Sequence, residues 1–392
     1  MSLHSQLSQD QLGNAVARRQ GDGDIAISVA GLASLENDVR FSESSRVNLG
    51  SLAKLATGAM ICRLWPERLE RSSIALHSVI PSLRGSWLGE CTIEMLLEHR
   101  AGLFDYRTLL ELRDYIGPLY VTRREIAMLA VAQGGPAVDL DQYSNTGYVL
   151  LRMALEAATG MSIEQCWREA TGGREDIGFW VTNPELPIAS RAWGYRQSVS
   201  GFARLWSLAA DDAGASNYWG TVAEAMRLAE FIDAAYRCCG VLRDNLSGPY
   251  GAAAVRSDGW LATGADGGFS AAVFVDNGRS RCAAVTNRCD TSAIDLVASY
   301  IDGDEFQIPA YGDGIQPSSA LGRLGHAAPA DGIYHHDGLR LSVEMVTVDG
   351  HRRLRAGRRV YDESEVWAVA EGSNSMRLSF GHLRGVRLVR VA

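Results

Sequence analysis

Lysine is almost missing from this sequence. Of 38 basic residues in 392, one is Lys54 and the other 37 are arginine. No lysine remains for a G-x-x-x-x-G-K-[ST] phosphate loop, so that class of nucleotide site is excluded. The seven cysteines, at 62, 91, 166, 238, 239, 282 and 289, include no C-x-x-C pair. That removes zinc-type spacing and leaves reduced, buried thiols as the expectation. The eight histidines form no H-E-x-x-H motif, and no G-x-S-x-G elbow is present, so neither a zinc protease nor that type of hydrolase triad is expected. No metal and no cofactor are implied. No segment approaches ~18 continuous apolar residues, and the N-terminus lacks a basic stretch followed by an apolar run. A cytoplasmic protein that does not enter membranes is expected. A net charge of −8 argues against nucleic acid and anionic membranes, which gain affinity from basic stripes.

What the chain does have is a globular composition, 46% hydrophobic and 21% charged. Residues 9–20 read as a short amphipathic helix and 24–32 as a strand. Residues 52–63 keep Leu, Ala and Met at a helical period. "TIEMLLEHRAGLFDY" (92–106) reads as a short helix broken at Gly102. Residues 145–160 form a strong helix, with Asn145 able to cap it and Gly160 able to end it. Another amphipathic helix covers 221–237. The pattern then changes to adjacent strands over 259–287, with Gly-rich and Asp-Asn-Gly turns. A helix capped by Asp290 follows at 290–301. Residues 303–330 read as a linker, and 331–392 as a small all-β domain, a half-barrel or a sheet. The order of elements suggests an α/β fold whose sheet takes strands from both ends of the chain.

The lone lysine stands three residues after Ser51 at the start of an apolar helix. Residues at i and i+3 share a helix face, about 5–6 Å apart at Cβ. A serine hydroxyl is a poor nucleophile until a base takes its proton. Lysine serves only as the neutral amine, which requires a pKa well below its usual ~10.4. Apolar burial and the positive end of a helix dipole both push in that direction. Arginine cannot serve, because it does not deprotonate in proteins. The one position that keeps lysine is therefore one where a base must lose its proton.

Two further stretches carry candidate chemistry. In "QYSNTGY" (142–148), Tyr143 can relay protons, and Asn145 can bond an acyl amide or simply cap the helix. In "LATGADGGFSAAVFV" (261–275), glycines permit a strand edge to approach closely and offer backbone N–H groups to an oxyanion. Taken alone, that stretch also reads as a hairpin.

In this order, the stretches resemble the serine β-lactamase and penicillin-binding-protein superfamily, in its class C β-lactamase, D-Ala-D-Ala carboxypeptidase and D-aminopeptidase branch. Ser51-Leu-Ala-Lys54 matches S-x-x-K. Tyr143-Ser-Asn145 matches Y-x-N. "TIEMLLEHRAGLFDY" is similar to the family's T-I-x-x-L-L-x-H-x-S-G-L-x-D-Y segment. The likeness covers roughly residues 24–300. It implies an antiparallel sheet flanked by helices, with a mostly helical lobe inserted at about 60–220 of a catalytic domain spanning 1–302. It also implies Ser51 as nucleophile, Lys54 as base, Tyr143 as proton relay and Asn145 as substrate-amide ligand. The backbone N–H groups of Ser51 and Ala265 would form the oxyanion hole. The third motif, usually Lys-Thr-Gly or His-x-Gly, is here Ala262-Thr263-Gly264. The missing cation suggests a neutral ligand, an arginine from elsewhere, or a weakened enzyme.

The expected function is an acyl-enzyme hydrolase of small amides, peptides or esters. A transacylase or peptide cyclase is one alternative, and a catalytically weakened binding protein is the other. The expected partner is a small-molecule or peptide substrate, and the sequence fixes no oligomeric state.

Overall fold

The structure is a computed structural model. It describes residues 12–19, 23–65, 74–113, 120–137, 142–183, 185–198, 201–205, 210–239, 253–255, 259–288, 293–299, 329, 331–348, 351–357, 359–361, 366–370, 375–380 and 383–391. The chain divides into two compact units, Met1–Ser72 with Leu151–Ile308 and Ser73–Leu150 with Pro309–Ala392. The linker expected at 303–330 lies outside the described residues apart from Pro329, as does the Asp290 cap.

The first unit is built on a six-stranded antiparallel sheet. Its order is Ala253–Val255, Gly259–Asp266, Phe269–Asp276, Arg279–Thr286, Asn14–Arg19 and Ile25–Ala30. The beginning of the chain thus pairs with its later part, Asn14 opposite Thr286, as the element order suggested. Residues 14–19 are a strand, not the helix expected over 9–20. The strand lies between two others, and Asn14 to Ala17 are all buried. A strand covered on both faces loses the polar alternation that would mark it. Its alanines then favour helix locally, and tertiary pairing overrides that preference.

Helix Ala293–Ala298 covers one sheet face, packing Ala293, Ile294 and Val297 on Val16, Leu261, Ala272 and Ala284. Helices Leu52–Leu64 and Val222–Cys238 belong to the other side. Trp260 Nε1 donates to Asp233 Oδ1 at 3.0 Å and fastens a strand to the second of these helices. Helix Leu52–Leu64 is buried from Leu52 through Cys62, so it is a central element rather than a surface one. Its small residues let it lie close to its neighbour. The Tyr236 hydroxyl donates to the Leu55 carbonyl at 3.0 Å, and a Cβ on Gly58 would come within 2.3 Å of that hydroxyl.

The second unit carries short helices, among them Ile93–Leu97, Tyr106–Leu112 and Arg123–Ala132, and a seven-stranded antiparallel sheet built from 332–390. The sheet is the all-β region expected at 331–392. Its buried side chains Tyr334, Leu341, Val343, Met376 and Leu388 share a core with Phe104, Leu109 and Leu112.

Among the described residues no helix is long and apolar enough to cross a membrane. The six described cysteines are free thiols. Burial pushes the Cys91 thiol up to about 11 and the Cys282 thiol up to about 12, which makes both poor nucleophiles.

The Gly58 contact predicts that Gly58→Ala, although favourable for an isolated helix, destabilises the protein. Overpacking of this kind costs about 1–3 kcal/mol, to be read from the shift of the urea midpoint.

Candidate active site

The "NLGS" turn is set by glycine. Gly50 has φ +55°, in the left-handed region that other residues enter only with strain. A Cβ there would also meet the backbone nitrogen of Ala265 at 2.5 Å. Ser51 follows at the N-cap of helix Leu52–Leu64, and its hydroxyl makes no capping bond to the helix. Lys54 is 3% exposed. Its Nζ donates to Ser51 Oγ at 3.2 Å and to the carbonyl of Ala215 at 2.8 Å.

The strand Gly259–Asp266 comes flush against this turn. A Cβ on Gly264 would lie 2.0 Å from the Leu49 carbonyl oxygen and 2.7 Å from the backbone nitrogen of Ser51. The structure therefore brings together Ser51, Lys54, Gly264 and Ala265. Thr263 is half-buried on the same strand, and Ala262 is fully buried. Ala262 places a methyl group at the head of the Ala262-Thr263-Gly264 triplet.

The second unit holds the other two predicted residues. Tyr143 is 9% exposed, and its ring lies 4.7 Å from that of His99. His99 Nδ1 accepts from the backbone N–H of Ser144 at 3.2 Å, so the neutral ring carries its proton on Nε2. Asn145 begins helix Asn145–Thr159. Its backbone N–H and its Nδ2 both donate to Asp105 Oδ2, at 2.7 and 2.8 Å. The Asp105 Oδ1 caps helix Tyr106–Leu112 through the N–H groups of Arg107 and Thr108. Thr146 Oγ1 donates to the Phe104 carbonyl at 2.8 Å and accepts from the Tyr106 N–H at 2.9 Å. The 97–106 stretch is therefore the frame that holds the Tyr-Ser-Asn segment.

Sequence reasoning missed three parts of this arrangement. One is Asp105, present in the familiar "LFDY" but given no role. Another is the loop Asp211–Asn217, whose Asp, Gly, Ser and Asn content signals a turn and nothing more. Every part of that loop is fastened. Asp211 pairs with Arg152, which is 1% exposed and also bonds Glu156 at 3.1 Å. Burial works against that guanidinium, and the two carboxylates more than offset it and raise its pKa. Asp212 accepts from Asn217 Nδ2 at 2.6 Å. The Gly214 carbonyl accepts from Thr57 Oγ1 at 2.8 Å, one helical turn beyond the contact between Ala215 and Lys54. The third is Asp266, next to Ala265. Its carboxylate accepts from Ser216 Oγ and from Asn48 Nδ2.

A hydroxyl and an amine in hydrogen-bond contact, beside two close backbone segments, can perform base-assisted attack on a carbonyl. Among the described residues no group of three or more His, Cys, Asp or Glu could hold a metal ion.

The family model described as Beta-lactamase matches residues 5–300. No curated protein matched the sequence. Among solved structures the chain is similar to SurE at 19% identity, over 97% of this chain and 95% of that one, with a TM-score of 0.60. It is similar to D-amino acid amidase from Ochrobactrum anthropi SV3, complexed with D-phenylalanine, at 17% identity over 73% and 89% with a TM-score of 0.60. It is also similar to the octameric penicillin-binding protein homologue from Pyrococcus abyssi, at 16% identity over 96% of both chains with a TM-score of 0.60. At these identities the likeness is one of fold.

The Asp105 contacts predict that Asp105→Ala frees Asn145 and uncaps a helix together. Charge-assisted hydrogen bonds contribute ~1.5–3 kcal/mol and a cap ~1 kcal/mol. Urea unfolding should therefore register a loss of about 2–4 kcal/mol.

Proposed function

Because the chain belongs to the Beta-lactamase family, we propose that it is an active-site-serine hydrolase that forms an acyl-enzyme on small amides, peptides or esters. One observation carries this reading: the Lys54 amine, 3% exposed, lies 3.2 Å from the Ser51 hydroxyl. An amine held out of water beside a hydroxyl is the condition the chemistry requires.

With the amine neutral, the direction of the hydrogen bond reverses and Ser51 O–H donates to Nζ. Ser51 Oγ then attacks the substrate carbonyl carbon while its proton passes to Lys54. The negative charge on the carbonyl oxygen is received by the backbone N–H groups of Ser51 and Ala265. Collapse of the adduct breaks the bond to the leaving group. That group takes a proton relayed by Lys54 and Tyr143, and Asn145 bonds the acyl amide. Water, activated by the same base, attacks the ester on Ser51 and releases the acid. The roles of Tyr143 and Asn145 rest on the Y-x-N likeness.

The methyl group of Ala262 gives the site no cation at the third motif, and Thr263 and Gly264 offer only neutral groups there. This favours substrates without a free carboxylate beside the scissile bond. Solved neighbours carry single amino acids, D- and L-phenylalanine in the amidase and D-Leu in SurE, which supports a small amino-acid acyl group. The family match ends at residue 300, which supports catalytic residues within 1–302, while the sheet over 331–392 shares its core with Phe104, Leu109 and Leu112. The free thiols support a cytoplasmic setting.

The Ala262 departure favours a second reading, a catalytically weakened binding protein. A fluorophosphonate probe separates the two when intact mass is recorded. The hydrolase acquires one covalent adduct on Ser51, and Ser51→Ala acquires none. A wild-type chain that stays unlabelled at high probe concentration is a binder. Lys54→Arg replaces the amine with a guanidinium that cannot deprotonate and so removes the base, and labelling should slow by ~10²-fold or more. Labelling at an unchanged rate would remove Lys54 from the mechanism.

A substrate panel tests specificity. D-amino acid amides and p-nitrophenyl esters should turn over faster than peptides that end in a free carboxylate at the leaving group. The opposite order would contradict the role given to Ala262. Aminolysis that outruns hydrolysis when amine acceptors are added would identify an acyl transferase instead.

A further inference from the structure

Asp266 stands two residues beyond Gly264, on the same face of the strand. That face meets the turn before Ser51. Both donors to Asp266 Oδ2 are buried, Asn48 fully and Ser216 at 2% exposure. Asn48 Nδ2 donates at 3.0 Å, and Ser216 Oγ donates to the same oxygen.

Each donor belongs to a segment that carries one half of the proposed chemistry. Asn48 Oδ1 accepts from the Gly50 N–H at 3.0 Å, which fixes the turn that presents Ser51. Ser216 follows Ala215, whose carbonyl holds the Lys54 amine at 2.8 Å. Asn48 Nδ2 also faces Asn217 Oδ1 at 3.4 Å. It faces Ser216 Oγ at 3.4 Å as well; the bond to Asp266 is the shortest of the three and its acceptor is charged, so it dominates.

We propose that Asp266 is a positioning residue. Its carboxylate joins the nucleophile turn, the loop that holds the base and the strand edge that offers the Ala265 N–H into one fixed arrangement. This rests on the reading of Ser51 as nucleophile and Lys54 as base. Asp266 itself moves no proton in the reaction. It sets the distance over which Lys54 and Ser51 exchange one and the place where the oxyanion forms. Displacement of such groups by about 1 Å costs ~10²-fold in rate.

The substitution Asp266→Ala removes the charged acceptor that two buried donors share, and leaves Asn48 Nδ2 only its two longer contacts. In Asp266→Asn an amide oxygen can take the place of Oδ2 and accept both bonds, so the arrangement survives without the charge. The experiment measures the second-order rate of fluorophosphonate labelling at Ser51 of the full chain, by intact mass. The proteins are wild type, Asp266→Ala, Asp266→Asn, Ser216→Ala and the Asp266→Ala/Ser216→Ala double variant, with folding checked by urea midpoint.

Asp266→Ala should label ~10²-fold more slowly, and Asp266→Asn should recover most of that loss. Ser216→Ala should lose part of the rate. The double variant should be no slower than Asp266→Ala, because both act through one network. Labelling of Asp266→Ala at the wild-type rate overturns the proposal, as do losses that multiply in the double variant. Should Asp266→Ala fail to fold, Ser216→Ala decides, and a wild-type rate there overturns it. A wild-type chain that is not labelled at Ser51 removes the nucleophile reading itself and this proposal with it. An adduct that forms equally fast on Asp266→Ala removes the positioning role alone.

Discussion

One amine held between a hydroxyl and a carbonyl organises this molecule. Lys54 Nζ touches Ser51 Oγ on its own helix and the Ala215 oxygen on a distant loop. A lysine side chain is long and flexible, and in water it samples many rotamers. Here burial and two hydrogen bonds select one. The rest of the first unit supplies the conditions for that choice. The helix is buried from Leu52 to Cys62, so water is kept from the amine. The loop is pinned at Asp211, Asp212, Gly214 and Ser216, so the carbonyl it presents does not wander.

A second constraint comes from backbone approach. The Gly50 turn before Ser51 and the strand edge lie so close that side chains are excluded from both sides of the junction. Gly50 on one side and Gly264 on the other leave room for peptide groups alone. Backbone N–H groups need no reorganisation when charge develops beside them, which is why such junctions suit oxyanions. On the same strand, Ala262 contributes only a methyl group. The carboxylate of Asp266 stands where it can fasten neighbours but adds no positive charge.

Much of this was legible in the sequence. The isolated lysine and its spacing from Ser51 pointed to the pair that the structure brings into hydrogen-bond contact, because a single lysine stands out in a chain whose other cations are all arginine. The strands over 259–287 and the helix from Asn145 followed from periodicity and turn residues. The failures have physical causes. Residues 14–19 lost their strand signature by being buried on both faces. Asn145 looked like a cap, and its amide turned instead to Asp105, forty positions earlier in the chain. The Asp211–Asn217 loop had the composition of any turn, and its role exists only through partners on Leu52–Leu64, on Asn145–Thr159 and on the strand ending at Asp266. Bonds between positions so distant in sequence leave no local pattern.

The central claim is that the Lys54 amine must be neutral to take the proton of Ser51. The most direct test is the pH dependence of fluorophosphonate labelling at Ser51, in wild type and in Lys54→Met. The account predicts that the wild-type rate rises with pH as the amine loses its proton and levels off above that ionisation. In Lys54→Met the rise should vanish and leave a slow, flat rate. A rise that persists unchanged without the lysine would contradict it.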